Sequence, residues 1–141
     1  MTDSIRERIM ARLAVVLADT AGVDGRVYRS RADALAFDLA PCITLTWAGD
    51  TPEPDGTFLM HRQMSVLVAI FTRGDAPDTL ADPIAQSVHT LIMADAQLAG
   101  AAMDTTLGAA EFVFETADKT GGRLTHEYRV NYRHTHEDLT A

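Results

Sequence analysis

Apolar positions recur along the first twenty residues at Ile5, Ile9, Leu13, Val16 and Leu17, the spacing of one helical face. Ser4 followed by Glu7 is a capping-box pattern, and Gly22 is a C-terminal stop, so the pattern predicts a helix over about residues 4 to 20. Residues 25 to 29 read as a short strand. Residues 31 to 40 are rich in alanine and leucine, and Pro41 must end any helical turn there. Then comes alternation: Ile43, Leu45 and Trp47 share one face of a strand over residues 42 to 47. Residues 48 to 60 hold prolines, glycines and acids, and predict an exposed loop rather than an element.

The central stretch is different in kind. From Gln63 to Arg73, the middle residues Val66 to Phe71 are apolar without alternation, as in a strand buried on both faces. Leu80, Ile84, Val88, Leu91 and Ile92 then lie on one helical stripe ending near Asp95. The helix start has two readings, one at Asp82-Pro83 and one earlier, near Pro77. Residues 101 to 107 predict a loop, 109 to 116 a strand, 117 to 122 a hairpin turn and 123 to 134 a second alternating strand. The polar tail, residues 135–141, is expected to be loose.

These elements predict an α+β fold in one domain over residues 1–141. The order is α-β-β-β-α-β-β, with a mixed, largely antiparallel sheet of about five strands and two main helices packed on one face. Two helices cover one face, yet Leu67, Ala69 and Phe71 alternate with Val66, Val68 and Ile70. One of these sets therefore lacks a cover, which suggests a subunit interface, unless residues 31 to 40 fold back over it.

Composition narrows the function classes. The chain has 141 residues and a net charge of −8, which disfavours binding to nucleic-acid phosphates. Arginine supplies all the basic residues except Lys119. No apolar run approaches the roughly 20 residues that span a bilayer, so no membrane is implied. The charged N-terminal residues argue against a signal peptide, and a cytoplasmic site of synthesis is expected. Cys42 is the sole cysteine and sits in an apolar run, as an inert buried thiol would.

Candidate chemistry is sparse. His134, His136, Glu137 and Asp138 carry metal-ligating groups, but no third ligand is set by spacing, so a solvated tail outweighs a metal site. Asp50, Glu53 and Asp55 form a carboxylate cluster without the pattern of a calcium loop or the rigid frame of a hydrolase pair. His89 reads as a flank histidine with one hydrogen bond, and His126 as a buried histidine with a partner. His61 stands at the mouth of the acidic stretch with no assigned role. Phe112 and Phe114 share a strand face and read as core rather than as a base-stacking platform. None of the common nucleotide-binding, nucleophile-elbow or zinc-protease motifs is present in the sequence, so no catalysis and no cofactor are expected.

An ordered set of residues carries a resemblance. It comprises the amphipathic N-terminal segment, Gly25 to Arg31, Leu39-Ala40-Pro41, Arg73-Gly74-Asp75, Ala81-Asp82-Pro83, Val88-His89, Leu91 to Asp95, Leu98-Ala99-Gly100, Tyr132-Arg133 and Asp138-Leu139. With these residues the chain resembles the tail terminators of tailed bacteriophages, grouped with the minor tail protein U of phage lambda. The Leu39-Ala40-Pro41 spacing is one residue wider than that pattern, and the tail has two added histidines.

The resemblance implies a virion protein that forms a hexameric ring at the head-proximal end of the tail and is assembled in the host cytoplasm. Such a ring stops growth of the tail tube and presents a surface to a head-completion or stopper protein. DNA would pass through it without specific binding, and an acidic wall suits that passage. On this reading, contacts with neighbouring subunits or partners are assigned to Leu67, Phe71, Asp50, Glu53, Asp55, Arg62, Arg133 and His134. A neck protein of the same joint is the alternative. A small metal-dependent hydrolase using His134, His136 and the acidic stretch ranks lower, as does an acidic adaptor outside the virion.

Overall fold

The computed structural model describes residues 2–29, 40–56, 58–115 and 121–141, and for residues 54, 55 and 115 the backbone alone. Helix α1 spans Ile5–Leu17, with the Ser4 hydroxyl accepting from the Glu7 N–H as its cap. Strand β1 is Val27–Arg29, β2 Cys42–Asp55 and β3 Leu59–Arg73. Helix α2 spans Pro77–Ala94, a short 3-10 turn Leu98–Gly100, strand β4 Asp104–Glu115 and strand β5 Gly121–Thr135.

The sheet runs β1-β2-β3-β5-β4, open at both edges. β1 is parallel to β2, and every other pairing is antiparallel. This is the mixed α+β architecture that the periodicity predicts. Both helices lie on one face. Ile5, Ile9, Leu13 and Leu17 of α1, with Ala81, Ile84, Val88 and Ile92 of α2, form one core with sheet residues. The sheet side of that core is Ile43 and Leu45 of β2, Met64, Val66, Val68 and Ile70 of β3, and Tyr128, Val130 and Tyr132 of β5. Full burial of each valine, leucine, isoleucine or methionine among them contributes roughly 1.5–3 kcal/mol.

Several expectations are corrected. Residues 48 to 60 are not a loop. β2 runs on through Asp55 and β3 begins at Leu59, so the two form a long hairpin. Prolines 52 and 54 are tolerated because β2 there is an edge strand, paired only with β3. A bulge between Trp47 and Gly49 shifts the register, and Gly49 at φ 117° takes a backbone conformation closed to other residues. β4 begins at Asp104, inside the predicted 101–107 loop.

α2 follows the earlier of its two predicted starts, with Pro77 in its first turn and Pro83 inside. Leu80 is exposed, and Ala81 and Ala85 take the buried stripe instead. The tail is not loose either. The Ile5 N–H donates to the Leu139 carbonyl at 2.9 Å, and the Thr135 N–H to the Ala141 carbonyl at 2.8 Å. The Arg8 guanidinium adds a bond to the Thr140 carbonyl. The predicted 31–40 segment lies almost wholly, and the centre of the 117–122 turn wholly, outside the described residues.

Candidate functional site

The pairing of β2, β3 and β5 aligns Asp50 with Met64, Arg62 with Tyr132 and Met60 with His134, all on the helix face. Asp50, Arg62, Tyr132 and His134 thereby meet in one polar cluster. Arg62 Nη1 donates to Asp50 Oδ1 at 2.7 Å, and its Nε to His134 Nε2 at 2.7 Å. The Tyr132 hydroxyl donates to Asp50 Oδ2 at 3.0 Å. His134 Nδ1 lies 2.7 Å from the Thr135 carbonyl. An Nε2 that accepts and an Nδ1 that donates describe the neutral imidazole. Burial, then the bond to Asp50, pushes the Tyr132 hydroxyl up to about 12.

A cleft of about 230 Å³ opens beside this cluster, lined also by Ser4, Arg6, Trp47 and Leu139. The Arg6 guanidinium sits 4.4 Å from the centre of the Trp47 ring, and Trp47 keeps 41% of its surface. Each buried polar group at the floor already has a partner. Both oxygens of Asp50 accept hydrogen bonds, and both ring nitrogens of His134 are engaged. The arrangement holds no general base poised at a nucleophile; it braces the hairpin against β5 and α1. His134 thus has no nitrogen left for a metal. Among the described residues no group of three or more His, Cys, Asp or Glu side chains could hold a metal ion.

The other face of the sheet carries the remaining assigned residues. Leu67 and Phe71 are half-buried there, and Phe71 is aligned with Cys42 and Arg123. A shallow depression of about 470 Å³ runs past Gly49, Ser65, Leu67, Glu127 and Arg129. The Ser65 hydroxyl donates to Glu127 at 2.8 Å, and Arg129 Nε to the same carboxylate at 3.1 Å. The serine bond first, and the arginine after it, hold the Glu127 carboxyl below the usual range. Glu53 and Arg133 are exposed near the hairpin end of this face, beside His61, whose Nε2 lies 3.3 Å from Asn131 Oδ1. Asp55 sits at the end of β2, aligned with Leu59.

Seven of the eight assigned residues therefore divide between two faces. Asp50, Arg62 and His134 meet; Glu53, Arg133, Leu67 and Phe71 lie on the opposite side. The carboxylate cluster read from the sequence is split, since Asp50 and Glu53 point to opposite faces across the pleat. Tyr132 was missed as a member of the cluster. Its signal was the even-numbered face of β5, legible only once Arg62 is known to stand opposite.

No protein-family model matches the chain, and comparison with curated proteins gives no match. Among solved structures, the chain is similar to a chain of the virion of native gene transfer agent particle, with a TM-score of 0.52 and 13% identity. The two share a fold. The similarity covers 93% of this chain and 92% of that one, so it spans the whole architecture, both helices and the sheet.

Three further expectations meet the structure on the helix face. His89 Nδ1 lies 3.0 Å from the Tyr128 hydroxyl, the single bond expected of a flank residue. His126 is half-buried rather than buried, and its Nδ1 has no partner. Burial, and then the nearby His89, lower its pKa. Phe112 and Phe114 do share a face, edge to face with ring centres 5.0 Å apart, but Phe114 is 61% exposed and is not core.

Proposed function

We propose that this chain is a structural protein of a phage-like particle and, within it, the tail terminator. Copies close into a ring on the head-proximal end of the tail tube, probed by the tube on one side and by a head-completion protein on the other. The observation that carries this reading is the end-to-end similarity of fold to a chain of a gene transfer agent virion. The ordered sequence resemblance supports the finer assignment. The physical chemistry agrees with a binding role, because the hydrogen-bonding groups of the polar cluster are satisfied within it.

In this reading the open sheet face, with Leu67 and Phe71, meets a neighbouring subunit. The hairpin end, with Glu53 and Arg133, reaches towards the tube. Asp50, Arg62 and His134 act from beneath, holding the hairpin in one orientation. A ring is a heterologous closed assembly, so each subunit offers two different surfaces.

The test is to mix the purified full chain with polymerised tail tube protein and image the product. Rings seated on tube ends, with tube growth stopped, support the terminator. Binding to head-completion protein without any effect on tubes would move the assignment to a neck protein. Absence of both interactions would overturn it.

A further inference from the structure

The sheet has two free edges, and they are treated differently. The Ile43 N–H donates to the Arg26 carbonyl, just before β1, so it points away from β3. Backbone direction alternates along a strand, and the bulge at residue 48 shifts the alternation by one. Beyond the bulge the outward-pointing residues of β2 are therefore Asp50, Pro52 and Pro54. Two of these three lack an N–H, so this edge cannot accept a strand readily. Carrying the alternation through β3 and β5 makes Ala110, Phe112 and Phe114 the outward-pointing residues of β4. The Asn131 carbonyl, which accepts from the Met103 N–H at 2.7 Å, faces β4 as this alternation requires.

β4 carries no proline, lysine or arginine from Asp104 to Glu115. Ala109, Ala110, Glu111 and Phe114 are exposed. An edge with intact donors and apolar side chains is a template for another strand. We propose that β4 pairs with β4 of a second copy of this chain, antiparallel about a two-fold axis at Phe112. In that register the outward residues meet each other, with Phe112 opposite its own copy and Ala110 opposite Phe114 of the second copy. A small side chain thus faces a large one, twice. The rings at 112 and 114 of both copies gather on the helix face.

On the other face Glu111 stands opposite Val113 of the second copy, whose neighbour across the ladder is Arg123. Acid and base come within side-chain reach. Moving the axis by one residue either way is worse. It puts Glu111 opposite Glu111 of the second copy, or opposite Glu115, and like charges directly opposite are destabilising. The axis at Phe112 is therefore selected by charge as well as by shape. This pairing is isologous and uses a surface separate from Leu67 and Phe71, so it stands whether or not the chain forms a ring.

The test uses single-cysteine reporters in the full chain, the native Cys42 being buried. Paired residues that exchange hydrogen bonds have Cα atoms about 5.5 Å apart, within disulfide reach. Phe112→Cys is expected to link chain to chain on mild oxidation, whereas Phe114→Cys, four residues from its own copy, is expected to stay single. Ala110→Pro removes one outward N–H and leaves the β5 ladder intact. Placed in the Phe112→Cys background it is expected to abolish the link. In the otherwise native chain it is expected to bring the solution mass down from twice 15.3 kDa to 15.3 kDa. Should Ala110→Pro lose its far-UV circular dichroism, Phe114→Asp serves in its place with the same expectation. Equal linking at 112 and 114, no linking at 112, or a native chain that stays single at every concentration would each overturn the pairing. The last of these is also the outcome if the edge takes a strand of another protein.

Discussion

Asp50 keeps only 9% of its side chain exposed and depends on Arg62 and Tyr132 for its hydrogen bonds. Removing one partner of a part-buried ion pair leaves the other charge without compensation. Arg62→Met should lower the unfolding free energy by about 2 kcal/mol, and Tyr132→Phe by about 1 kcal/mol, both read by chemical denaturation. The arginine loss is the larger because it strands His134 Nε2 as well.

His126 gives a second prediction at this scale. Its pKa is lowered in the folded chain by burial, with His89 adding to the effect and the Tyr128 ring beside it. The unfolded chain therefore binds a proton first. Stability should be full above the ordinary histidine value of about 6.5 and fall as pH drops below it. His126→Gln should flatten the stability curve in that window. The depressed carboxyls of Glu7, Asp95 and Glu127 lose their contribution lower, below their ordinary values of 4.5, 3.8 and 4.5, so the two effects separate.

Among the elements, the C-terminal segment is the clearest test of what packing adds to pattern. Residues 135–141 read as polar and loose, yet Leu139 and Thr140 receive bonds from Ile5 and Arg8 of α1, and the His136 N–H donates to the Phe58 carbonyl at the hairpin tip. Deleting residues 136–141 should lower the melting temperature and speed hydrogen exchange in the first turn of α1. An unchanged exchange pattern would show the segment idle.

Gly122 makes a parallel case. A Cβ there would stand 2.5 Å from the Phe112 ring and 2.9 Å from Pro77, so Gly122→Ala should cost about 1–3 kcal/mol in the same denaturation assay.

The same contrast explains what the sequence could and could not yield. α1 was legible from its helical period and local cap, the central strand from its unbroken apolar run, and β5 from its long alternation. The hairpin over residues 48 to 55 was not, because Pro52, Pro54 and the acids carry turn signals. What makes them strand is pairing with residues 59–65, a non-local cause. For the same reason the Asp50–Arg62–His134 cluster was half legible: its residues were singled out, but the register that joins them to Tyr132 was not.

At the level of the whole molecule, the surface beyond the helix face offers the opposite sheet face, a hairpin end and the proline-free β4 edge. Beyond β1, the proline-bearing edge of β2 is disfavoured for strand pairing. On the proposed function, the ring closes through side-chain packing, with Leu67 and Phe71 at its centre. Leu67→Glu should then prevent ring closure while leaving the melting temperature within a few degrees, because Leu67 is only half-buried. Pairing through β4 would survive that substitution, which separates the two contacts.

The most direct measurement of the central claim is electron microscopy of the purified full chain added to growing tail tubes. The account predicts rings with a central hole capping one end of each tube, and tubes of arrested length. Tubes that keep growing, with the chain dispersed as unattached particles, would contradict it.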